Sequence, residues 1–72
     1  MDQAAKMAIA QSGYGYWDVS RYPYGGDFRR LTEDTQVEII GEPIRIKGNM
    51  EVRVRFNDGR NGMIRVSALT EL

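Results

Sequence analysis

The chain has 72 residues, with ten basic and ten acidic side chains and neither cysteine nor histidine. That length holds one small domain, which buries only roughly 60% of the surface its unfolded chain exposes. The missing residue types exclude disulfides, thiolate or imidazole metal sites and the usual Cys or His catalysts.

A net charge of zero leaves no overall field to steer a polyanion, although residues 1–40 sum to −2 and residues 41–72 to +2. A core of this size rarely contributes more than about 3–5 kcal/mol, so association between chains is the remaining aid and a homo-oligomer is a candidate state. Met1 and Asp2 open the chain with no basic leader. The longest apolar run falls far short of the ~18 residues that a membrane span needs. A soluble, cytoplasmic protein with no membrane partner is expected.

Asp2 can cap a short helix over residues 3–11, where Ala4, Ala5, Lys6, Met7, Ala8 and Ala10 favour helix and Gly13 stops it. At about nine residues such a helix is shorter than the roughly 12–15 that are stable alone in water. Residues 1–13 are therefore read as an N-terminal arm, either a short helix docked through Ala5, Met7 and Ile9 or a disordered segment. All four tyrosines and the single tryptophan follow within residues 12–26. Tyr14, Tyr16, Trp17, Tyr22 and Tyr24 interleave there with Gly13, Gly15, Gly25, Gly26 and Pro23. Such rings combine a rigid apolar body with a polar tip, which suits a small core and a binding surface alike. Both readings stand.

From Leu31 the chain becomes regular. Residues 36–40 read as a strand with Val37 and Ile39 inward and Gln36 and Glu38 outward. Gly41-Glu42-Pro43 interrupts it, Ile44-Arg45-Ile46-Lys47 resumes the alternation, and Gly48-Asn49 makes a turn. Residues 51–66 carry the clearest pattern: Val52, Val54 and Phe56 alternate with Glu51, Arg53 and Arg55, and Asp58-Gly59 tolerates the positive φ of a hairpin turn. Ser67-Ala68-Leu69 reads as one helical turn before a last short strand at Thr70-Glu71-Leu72.

About five short strands and one helical turn, divided by turn signals, imply an all-β fold in the form of a small antiparallel barrel. Residues 14–72 resemble an SH3-like barrel. Tyr14-Gly15-Tyr16-Trp17-Asp18-Val19 would be its first strand, residues 20–35 its long first loop, residues 36–40 its second strand, and residues 51–56 and 60–66 its central hairpin. Residues 62–69 are similar to the family's glycine, strand and single-turn helix. Peptide-binding members of the family place a tryptophan at the start of the third strand and a proline with a tyrosine near the helical turn. Met50 or Glu51 and residues 65–69 stand at those places here, so the polyproline groove is missing.

With Ile44, Ile46, Val52, Val54, Phe56, Ile64 and Val66 inward, Arg45, Lys47, Arg53, Arg55 and Arg65 project together as one basic sheet face. Exposed strands also carry such residues for solubility and to protect their edges. The functional alternative is an anion-facing surface, since Arg offers planar bidentate donors to carboxylate or phosphate. A protein partner ranks above RNA or DNA, because a local excess of two charges is weak for counterion-driven binding.

No enzyme, cofactor or metal site is expected. Asp18, Asp27, Glu33, Asp34, Glu38 and Glu42 are scattered, and Asp27, Glu33 and Asp34 lack the spacing of a cation loop. Gly59-Arg60-Asn61-Gly62 is a turn and not a phosphate loop, since no helix follows it. One enzymatic precedent exists at this size, the type II dihydrofolate reductases, which are tetrameric SH3-like barrels. Val66-Ser67-Ala68-Leu69 is similar to their C-terminal stretch, but Gly62-Met63-Ile64 does not match their ligand-contacting Gln-Ile-Tyr run.

Overall fold

The computed structural model describes residues 5–20 and 26–72. Their alternating segments become eight strands of one antiparallel sheet: β1 (Lys6–Ala10), β2 (Gly15–Asp18), β3 (Asp27–Arg30), β4 (Thr35–Ile39), β5 (Ile44–Ile46), β6 (Asn49–Arg55), β7 (Asn61–Arg65) and β8 (Leu69–Glu71). A 3-10 turn over Val66–Ala68 separates the last two strands. The strands run in the order β3-β2-β7-β6-β4-β1-β8, with β5 attached to β6 alone. This path does not close on itself, and eight strands replace the about five that alternation suggests. The all-β class stands, as a small sheet compatible with a barrel-like fold.

The β6 and β7 hairpin is the centre of the sheet, paired from Glu51↔Arg65 to Arg55↔Asn61. Phe56 N–H donates to the Arg60 carbonyl at 2.9 Å and Gly59 N–H to the Phe56 carbonyl at 3.0 Å. Gly59 takes φ +91°, the left-handed conformation in which a three-residue hairpin loop ends. Alternation then sends Val52, Val54 and Ile64 inward, where they meet Val37 of β4 in a fully buried centre. Burying each such side chain contributes roughly 1.5–3 kcal/mol. Tyr16, Leu31, Phe56 and the small Ala8, Ala10 and Ala68 complete the core. The Tyr16 and Phe56 rings lie 4.8 Å apart, tilted by 44°.

Three expectations are corrected. The helix over residues 3–11 gives way to strand β1, which pairs with β4 from Lys6↔Ile39 to Ala10↔Thr35 and with β8 from Ala8↔Glu71 to Ala10↔Leu69. A segment too short to hold a helix alone gains ladder bonds on both sides and buries Ala8 and Ala10, which outweighs its helical propensity. The segment expected as a first strand forms β2 instead, in a hairpin with β3 inside the stretch expected as a long loop. Finally, Ile44 is 50% exposed and not inward, because it pairs with Glu51 on the face away from the core.

The turn before β6 is also displaced from Gly48-Asn49. It consists of Lys47 and Gly48, at φ 49° and 84°, between the paired Ile46 and Asn49. By contrast β4, the central hairpin, the helical turn and β8 lie within one or two residues of their expected places. Among the described residues no helix is long and apolar enough to cross a membrane.

Candidate functional site

Directly paired residues of an antiparallel sheet project to the same face. The pairs Phe28↔Trp17, Trp17↔Met63 and Met63↔Arg53 therefore form one row across β3, β2, β7 and β6, on the face away from the core. Trp17 is 49% exposed and Phe28 56%. Their rings meet edge to face at a centroid separation of 5.1 Å and an angle of 66°. Two large rings side by side at a surface are a stronger sign of an interaction site than single exposed apolar residues.

The next row holds Arg30, opposite Gly15, and Arg65, opposite Glu51. No side chain rises from Gly15, and the Phe28 ring lies over its backbone, where a Cβ would collide with it. These two rows enclose a groove of about 310 Å³ lined by Tyr14, Trp17, Phe28, Arg30, Met63 and Arg65, with Gly13, Gly15 and Glu51 completing it.

The cations around this groove differ in what they already hold. Arg30 Nη1 donates to the Gly13 carbonyl at 2.6 Å. Neither Arg53 nor Arg65 makes an ion pair among the described residues. Arg55 lies one row away, where its Nη1 is 3.4 Å from Oε1 of Glu38, its partner on β4.

The expected basic face is thus brought together only in part. Arg53, Arg55 and Arg65 share the outer face, whereas Arg45 pairs with Met50, which alternates in phase with the buried Val52. Arg45 therefore projects from the opposite side. The cause is the register of β5, which places Ile44 rather than Arg45 beside Glu51. Lys47 stands in the β5 to β6 turn, beyond both rows.

The expected aromatic group also divides. Tyr16 is buried in the core and Tyr14 is packed against it, so of the described rings in that group only Trp17 is exposed. Tyr22 and Tyr24 lie outside the described residues. Conversely, Phe28, Arg30 and Met63 belong to the surface although no sequence pattern singles them out. Only the β2 to β3 register, set across a long connection, puts Phe28 beside Trp17.

A second cluster anchors the platform from the core side. The Asp18 side chain, only 12% exposed, lies 3.5 Å from both Arg29 Nε and Arg60 Nη1. It also accepts a hydrogen bond from Ser20 N–H at 3.1 Å. That backbone donor, helped by the two guanidinium groups, holds the Asp18 carboxyl below its ordinary pKa. Arg60 in turn donates to Asp58 at 2.6 Å and to the Tyr16 hydroxyl at 3.1 Å, and stands 5.1 Å from the Phe56 ring centroid. The loop end of the β2 and β3 hairpin is thereby tied to the β6 to β7 turn.

No three acidic side chains among the described residues come close enough to hold a metal ion. A wider groove of about 600 Å³ runs along β1, β4 and β8, with Ile39, Val66 and Leu69 beside Glu38, Glu42 and Glu71. It gathers neither the exposed rings nor the unpaired arginines. No family model, curated protein or solved structure matches this chain.

Proposed function

We propose that this chain is a non-enzymatic binding module of SH3-like architecture that captures a protein partner on the outer face of β3, β2, β7 and β6. The single observation that carries the reading is the row Phe28, Trp17, Met63 and Arg53, two open rings, a thioether and a guanidinium with no ion pair among the described residues. Aromatic residues, Met and Arg are the side chains enriched in protein interfaces, and Trp and Arg supply many of their strongest contacts. The architectural part rests on element order. Strand β1, the β2 and β3 hairpin, strands β4 and β5, the β6 and β7 pair joined by a tight turn, a single 3-10 turn and the final strand β8 follow one another, an order that, β5 apart, resembles that of an SH3-like barrel.

Single-stranded nucleic acid is the rival occupant, favoured by two ring faces beside Arg53 and Arg65 on which bases can stack. Zero net charge weighs against it, since phosphate binding draws on a clear basic excess.

Affinity capture on the immobilised protein, with nuclease present, tests the two. A protein retained by the wild type and lost with Arg53→Glu, at an unchanged thermal midpoint, and with Trp17→Ala, still folded at the capture temperature, supports the proposal. Retention by both variants, or capture abolished by nuclease, overturns it. Sedimentation at several concentrations then tells whether the occupant is a second copy of the chain.

A further inference from the structure

We propose that the groove over Gly15 takes an extended acidic segment of the partner, inserting one aromatic or long aliphatic side chain between Arg30 and Arg65. This inference rests on the binding face described above and names the chemistry of what it binds. Adjacent strands lie about 4.8 Å apart, so Arg30 on β3 and Arg65 on β7 rise roughly 10 Å apart on either side of β2. Between them Gly15 offers no side chain, and the lane it leaves is floored by the Phe28 ring. Trp17 and Met63 close one end of it. The volume of about 310 Å³ is that of one or two side chains, not of a folded element.

Charge identifies the rest of the segment. Arg65 is free of ion pairs among the described residues even though Glu51 is its cross-strand partner. Arg30 spends one nitrogen on the Gly13 carbonyl and keeps the others. In an extended segment the residues two before and two after the inserted side chain share its face, about 14 Å apart, and flexible carboxylates there reach a guanidinium on each wall. Glu51 discriminates between polyanions. It lines the same groove half-buried, where it repels either anion but accepts backbone N–H donors, which a peptide supplies and a phosphate backbone does not.

Trp17 is the only tryptophan in the chain and lines the groove, so its emission reports occupancy directly. The experiment titrates the full chain with a blocked synthetic peptide of sequence Asp-Glu-Phe-Glu-Asp, with the same peptide carrying Ala for Phe, and with oligothymidylate, at one low salt concentration. A saturable emission change is expected for the first. Binding should be at least tenfold weaker for the Ala peptide, for oligothymidylate, and for the first peptide with Arg65→Glu protein. Arg65 is exposed and has no ion pair among the described residues, so that variant should stay folded, its thermal midpoint lowered only by the repulsion from Glu51 across the strands, whereas Arg30→Glu also gives up a backbone contact and is the secondary variant.

Equal binding of the two peptides, tighter binding of oligothymidylate, or wild-type peptide affinity in Arg65→Glu each overturns the inference. If Arg65→Glu binds the peptide normally while Arg53→Glu still loses the captured protein, the groove assignment falls and the binding face stands. If both variants behave as wild type, both fall.

Discussion

The Phe28 ring occupies the space above Gly15 that any other residue at that position would fill with its own side chain. Gly15 therefore determines where Phe28 lies, and Phe28 in turn meets Trp17 edge to face. Such a pair contributes about 0.5–1.5 kcal/mol beyond its area burial. The Trp17 and Phe28 pair depends on the absence of a single methyl group.

Gly15→Ala separates this platform from the fold. Phe28 is exposed enough to swing into solvent, so chemical denaturation should show a loss below about 1 kcal/mol, short of what core overpacking costs. Trp17 emission should shift and partner affinity should fall several-fold. A loss of several kcal/mol would instead mark Phe28 as a structural residue.

The ion cluster at the loop end of the β2 and β3 hairpin gives the protein an acid-sensitive joint. Ser20 N–H first, then Arg60 and Arg29, hold the folded-state pKa of Asp18 below its unfolded value near 3.8. A depressed carboxyl pKa contributes stability that is present above the unfolded value and lost as pH falls through the folded one. The thermal midpoint is therefore expected to fall below about pH 4. Asp18→Asn should cost roughly 1–3 kcal/mol at neutral pH and flatten that acid limb. An acid limb unchanged by the substitution would contradict the assignment.

Much of the fold is legible in the sequence, and the places where it is not share one cause. Val52, Val54 and Phe56 alternate strictly, and Asp58-Gly59 marks the turn, so the central hairpin is plain. At Lys6–Ala10 the local preference is helical, and only pairing with β4 and β8 makes a strand of it. The alternation of Ile44, Arg45 and Ile46 is equally clear, yet alternation fixes only which residues share a face. Register decides which face that is, and it turns Arg45 away from Arg53. Trp17 and Arg65 are legible as candidates. Their union into one site with Phe28 and Met63 comes from cross-strand pairs between distant segments, which no local pattern encodes.

Lys47 bears a backbone cost that the sequence also conceals. Its φ of 49° is in the left-handed region, which costs a non-glycine residue roughly 1 kcal/mol, and Asn tolerates it better. Lys47→Asn should raise stability by a few tenths to about 1 kcal/mol in urea denaturation. Peptide binding should not change, because Lys47 lies outside the groove.

Strand β1 is tested by overfilling it. Ala8 is fully buried against its neighbours, so Ala8→Leu should destabilise the protein by about 1–3 kcal/mol. Ala5→Leu, at an exposed position just before the strand, should be nearly neutral. Equal effects of the two would place residues 5–8 outside the packed sheet.

The central claim is that Trp17 and Arg53 belong to one binding surface, and a double-mutant cycle on partner affinity tests it most directly. With the captured protein as ligand, Trp17→Ala and Arg53→Glu should each weaken binding at least tenfold. Their combined loss should be smaller than the sum of the separate losses, with every variant folded at the temperature of the measurement. Wild-type affinity in either single variant, or losses that simply add, would contradict a shared site.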